Sequence, residues 1–116
     1  GWKIPSDEDW EELKSYLGNN AAETLKAGEW KTMISGDVVP VNNYTQFNAY
    51  PVGMWYQGTH YSPWKMTAFW SWDKARNTLS DNTVYFLGET NDFVRQPAHV
   101  SEKEYYKALS IRCIKE

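Results

Sequence analysis

At 116 residues, 41% hydrophobic and 23% charged, the chain has the size and make-up of one folded domain and is far from a disordered segment. A net charge of −3, a pI near 5.4 and scattered Lys and Arg side chains argue against a nucleic-acid partner, which needs a basic face. No apolar run approaches the roughly 18 residues that span a bilayer, Gly1-Trp2-Lys3 does not read as a signal peptide, and the single cysteine, Cys113, leaves no internal disulfide and no CxxC site.

The first element announces itself. In Ile4-Pro5-Ser6-Asp7-Glu8-Asp9-Trp10, Ser6 can cap a helix while Asp9 reaches back to its amide, and the three acids suit the positive end of the helix dipole. Trp10, Leu13 and Leu17 recur at helical spacing, with Tyr16 on their flank, and Gly18 ends the run. A second, shorter helix is predicted from an Asn19 or Asn20 cap through Ala21–Lys26, stopped at Gly28. Beyond Trp30 the period changes. Val38–Val41, Thr67–Trp72, Thr83–Leu87 and Ala108–Ile114 read as strands, with Trp70 and Trp72 sharing one face toward the core, and Asn42–Met66 reads as a long irregular loop. Helices first and strands afterwards give an α+β domain: two N-terminal helices packed on a small antiparallel sheet.

The aromatic share is unusual: seven Trp and eight Tyr help bring it to 16% while the mean hydropathy is −0.70. Rings with polar tips that a small core cannot hold tend toward half-exposed positions and binding surfaces. Groups for catalysis are few. His60, His99 and Cys113 are the main candidates, and no H-E-x-x-H, G-x-S-x-G or phosphate-cradling glycine loop accompanies them. No enzyme and no cofactor are expected, and Cys113 in the predicted closing strand reads as a buried core residue. Asn43-Tyr44-Thr45 matches a glycosylation acceptor.

Four blocks carry a family resemblance. Gly1-Trp2-Lys3-Ile4-Pro5-Ser6 with Trp10, then Phe47-Asn48-Ala49-Tyr50-Pro51-Val52-Gly53, Ala68-Phe69-Trp70-Ser71 and Leu109-Ser110-Ile111-Arg112-Cys113-Ile114-Lys115-Glu116 follow in order along the chain. They resemble the Fibrobacter succinogenes major paralogous domain family, which is distantly similar to the formylglycine-generating sulfatase-modifying proteins. The resemblance implies a single C-type-lectin-like domain over 1–116, exported by a bacterium, placed at the cell surface or secreted, and often lipid-anchored upstream. It also implies a strand and a cysteine ahead of the Gly-Trp opening, the cysteine being the natural partner of Cys113; neither lies in this sequence. Trp72-Asp73 departs from the family's pattern, and 86–101 matches none of it.

Calcium-dependent sugar binding, which a lectin-like fold invites, is disfavoured. Thr90-Asn91-Asp92 and Gln96-Pro97-Ala98 stand in the wrong order, and Ala98 lacks the carboxylate that Ca²⁺ needs. The expected site is therefore metal-free: the loop 54–65, with Trp55, Tyr56, Gln57, His60, Tyr61 and Trp64 as ligand-binding residues for a glycan or a surface protein, and 88–100 as a second candidate. The same rings could instead plug the loop against the core. The rival function is an architectural domain packing within a larger surface protein or assembly.

Overall fold

The computed structural model describes residues 1–73, 83–98 and 108–116. Its principal helix, α1 (Asp7–Leu17), starts where the sequence places it. The Ser6 hydroxyl accepts from the Asp9 amide at 3.2 Å, and the Asp9 carboxylate accepts from the Ser6 amide at 2.9 Å, so the capping box closes in both directions. Gly18 ends the helix at φ 72° and passes the chain through a 3₁₀ turn into α2 (Ala21–Leu25), only five residues long. The predicted second helix is thus little more than one turn, and its Asn20 cap position makes no side-chain capping bond.

Several small antiparallel sheets complete the mixed α+β fold. A three-stranded sheet orders β6 (Thr67–Trp70), β7 (Thr83–Leu87) and β8 (Phe93–Pro97), in the register Phe69↔Tyr85↔Arg95. Two-stranded ribbons pair β1 (Trp2–Lys3) with β9 (Ile114–Lys115), β2 (Trp30–Lys31) with β3 (Val38–Val39), and β4 (Met54–Tyr56) with β5 (Thr59–Tyr61).

The core is aromatic. Trp10 lies 5.6 Å from the Tyr85 ring, 5.7 Å from Phe69 and 5.5 Å edge-on from Phe93, with Leu25, Trp30 and Leu87 buried around them. Such geometry adds to plain area burial because ring edges meet ring faces. A polar stitch locks helix to sheet beside this cluster. The Asp7 carboxylate accepts from Ser71 Oγ at 2.6 Å, from Thr83 Oγ1, and from Arg95 Nε and Nη2 at 3.1 and 2.9 Å, tying the first turn of α1 to all three strands' neighbourhoods. Tyr85, whose hydroxyl donates to Glu11 at 2.9 Å, is held in its neutral form by burial and by that carboxylate.

Two sequence expectations are corrected here. Trp72 does not share the core face of Trp70. β6 ends at Trp70, Ser71 is buried with its amide on Thr83 and its hydroxyl on Asp7, and Trp72 turns away to bond Pro5 through its amide, leaving 42% of the residue exposed. Nor is Ala108–Ile114 one closing strand. Ala108 bridges Trp55, Ser110 bridges Phe69, and only Ile114–Lys115 forms a strand, so Cys113 stands exposed rather than buried. Segments that hop between partners have no fixed alternation to drive each second side chain inward.

Candidate functional site

The predicted irregular loop 42–66 holds a hairpin. Gln57 and Gly58 both take left-handed φ, 48° and 81°, the two-residue turn geometry whose twist suits flanking antiparallel strands. The register Met54↔Tyr61, Trp55↔His60, Tyr56↔Thr59 then sorts the six expected residues by face. Trp55 and His60 stack on one face, rings 5.2 Å apart and inclined by only 6°. Tyr56 and Tyr61 meet diagonally on the other, 6.3 Å apart, beside Met54, which packs on the second buried cluster around Met66, Ala68 and Val84. Gln57 sits exposed on the turn.

A groove of about 560 Å³ runs beside His60. Gly28, Glu29, Tyr50, Pro51, Val52, His60, Pro63 and Trp64 line it. Three backbone features build it. Gly53, at φ 72°, is squeezed between segments: a Cβ there would stand 2.3 Å from the Tyr61 carbonyl oxygen and 3.0 Å from His60 Nε2. Gly28 lets the Tyr50 ring lie against bare backbone, since a Cβ would come within 3.0 Å of that ring. Trp64 itself takes φ 70°, a genuine outlier for a bulky side chain. Its amide donates to Pro51 at 2.7 Å and its carbonyl accepts from Lys31 at 2.8 Å, so both peptide groups are pinned while 56% of the residue stays exposed.

His60 is fixed as well. Its Nε2 lies 2.6 Å from the Val52 carbonyl, which can only accept, so Nε2 carries the proton and neutral His60 has Nδ1 as its acceptor. Trp55 is half exposed, and its backbone bonds Ala108 in both directions, at 3.1 and 2.8 Å. Of the six predicted residues, His60 and Trp64 line the groove and Trp55 stacks on His60 without lining it, while Tyr56, Tyr61 and Gln57 do not line it either. Sequence reasoning missed Tyr50, Val52 and Glu29. For Tyr50 and Val52 the signal was the Asn48-Ala49-Tyr50-Pro51-Val52-Gly53 block; nothing local marked Glu29.

The other sequence candidates play structural parts. The Asn43 side chain donates to Asn48 at 2.7 Å and accepts from its amide at 3.0 Å, closing a loop rather than standing out as an acceptor for modification. The carbonyls of Thr90 and Asn91 accept from Lys26 and Ala22, and Ala98 is buried. His99 and residues 99–100 of the second candidate segment lie outside the described residues. Among the described residues, no three His, Cys, Asp or Glu side chains are grouped to hold a metal, and no helix is long and apolar enough to cross a membrane.

The model of the Fibrobacter succinogenes major domain matches residues 1–115. The chain belongs to this family. Neither curated proteins nor solved structures gave a match. In this Fibrobacter-type domain, the matched stretch contains every groove-lining residue and both strands of the hairpin.

Proposed function

We propose that the protein is a non-enzymatic, extracellular binding module of a bacterial surface or secreted protein, built on a C-type-lectin-like scaffold, that recognises a glycan without calcium through the groove lined by Tyr50, His60 and Trp64. The observation that carries this reading is Trp64. A half-exposed indole held in a left-handed backbone conformation costs stability of the order of 1–3 kcal/mol, and such strain gathers where display of a side chain matters. Flat rings at Trp64, Tyr50 and His60, the last backed by the stacked Trp55, offer faces for the C–H surfaces of sugar rings, while His60 Nδ1 and the Glu29 carboxylate supply acceptors for hydroxyls.

A glycan array probed with the protein and with its Trp64→Ala and Trp55→Ala variants, each checked by near-ultraviolet circular dichroism, tests the reading. Binding by the parent that is lost in folded variants supports it; equal binding by parent and variants moves the site elsewhere. A second reading, an architectural domain within a larger surface protein, draws on Trp2 in β1 and Ile111 just before β9, both apolar and largely exposed. It predicts no glycan binding and a partner that buries the β1–β9 ribbon.

A further inference from the structure

Resting on that glycan-binding reading, we infer that the groove selects neutral saccharides and rejects acidic ones. Among the described residues eight line it, and the one with a permanent charge is an acid, Glu29; no described Lys or Arg takes part. Of the neighbouring cations, Lys65 is engaged elsewhere and Lys31 pairs loosely with Glu29 itself. Lys65 Nζ donates to the Met33 carbonyl at 3.0 Å, and Lys31 Nζ stands 3.9 Å from Glu29 Oε1, the outer limit of an ion pair, with both side chains well exposed. That ammonium offsets part of the Glu29 field, but the carboxylate, not the ammonium, lines the groove.

The polar complement points the same way. Nε2–H of His60 is directed at the Val52 carbonyl, so the neutral ring has an acceptor, Nδ1, rather than a further donor to offer, and Glu29 is acceptor-only when ionised. Recognition of a carboxylate needs the reverse: a guanidinium fork, an ammonium or a cluster of amide donors. A ligand rich in hydroxyl donors and free of negative charge satisfies these acceptors. A uronic or sialic acid carboxylate placed against Glu29 meets like-charge repulsion, which specificity commonly exploits. The overall charge of −3 adds to the bias at long range.

The test is isothermal titration of the intact protein with neutral hexasaccharides (cellohexaose, mannohexaose and xylohexaose) and with hexagalacturonate at moderate salt, repeated on Glu29→Gln and Glu29→Lys. The expected result is binding of at least one neutral hexasaccharide, with hexagalacturonate weaker by about tenfold or more, a gap that about 1.4 kcal/mol of repulsion produces. The acid-to-neutral ratio rises in E29Q and rises further in E29K. Hexagalacturonate binding as tightly as the best neutral ligand, or a ratio unmoved by E29K, overturns charge selection while the glycan-binding reading stands. Absence of binding by all four oligosaccharides overturns both. Because Glu29 is exposed, unfolding of the variants does not confuse the outcome, and their circular dichroism should match the parent's.

Discussion

The amide of Trp64 donates to the carbonyl of Pro51 at 2.7 Å, and this bond holds the indole outward from a left-handed backbone. Glycine adopts that φ freely, whereas alanine keeps the Cβ strain. Trp64→Gly should therefore be more stable than Trp64→Ala by roughly 1 kcal/mol, an order set by αL strain against the flexibility glycine adds to the unfolded chain. Both should lose ligand binding. Urea denaturation of the two variants checks the order, and an alanine variant at least as stable as the glycine one would remove the argument that the conformation is strained for display.

Gly53 and Gly58 both have φ near 70–80°, yet they should respond differently to alanine. At Gly58 a Cβ meets nothing within 4 Å, so Gly58→Ala should cost only the backbone strain of about 1 kcal/mol. At Gly53 the Cβ adds backbone collisions at 2.3 Å with Tyr61 and 2.9 Å with Pro63, neither of which can rotate aside. Gly53→Ala should lose about 3 kcal/mol or more and disrupt the groove. Thermal melts of the pair decide it: equal losses would mean that the 50–53 and 60–63 segments are not packed as described.

What could be read from the sequence was whatever local chemistry dictates. The Ser6–Asp9 box, the Trp10–Leu13–Leu17 face and strand β7 follow from capping, a 3.6-residue period and β-branched or aromatic content, none of which needs a distant partner. Strand β8 escaped notice because, among the described residues, it pairs only with β7: Pro97, which argues against a central strand, is tolerated at the end of an edge strand. The β4–β5 hairpin escaped because its turn is Gln57-Gly58 rather than a strong Asn-Gly signal, and because aromatic residues on both faces erase the alternation. The site was legible as a region but not as a surface. Composition picked out the 54–65 aromatics, while only the register separates Trp55 and His60 from Tyr56 and Tyr61.

Cys113 gives a direct check on the course of the closing segment. Its exposed thiol should react fully with a thiol-disulfide reagent in native buffer, to the same stoichiometry as in denaturant, and Cys113→Ser should change stability by no more than about 0.5 kcal/mol. A thiol that reacts only after unfolding would restore the buried closing strand expected from the sequence.

Lys26 provides a test of the loop that follows β7. The residue is buried, its Nζ donates to the carbonyls of Gly88 and Thr90 (2.9 Å for the latter), and it lies 4.9 Å from the centre of the Trp30 ring. Lys26→Met leaves both carbonyls without that donor and should cost about 1–3 kcal/mol. The pH dependence carries its own sign. Desolvation lowers the ammonium pKa from 10.5 to about 8, with Glu23 and Glu89 opposing the fall. Between these values the unfolded chain holds a proton that the folded chain has released, so unfolding takes up a proton and rising pH stabilises the fold. Below about 8 both states are charged and the term is flat. Neutral Lys26 still has two N–H groups for its two carbonyls, so the bonds survive deprotonation. The stability gap between the parent and Lys26→Met should therefore widen as pH is raised from 8 to 10, as measured by urea denaturation at each pH. A constant or shrinking gap would mean that Lys26 reaches solvent and does not anchor the 88–90 loop.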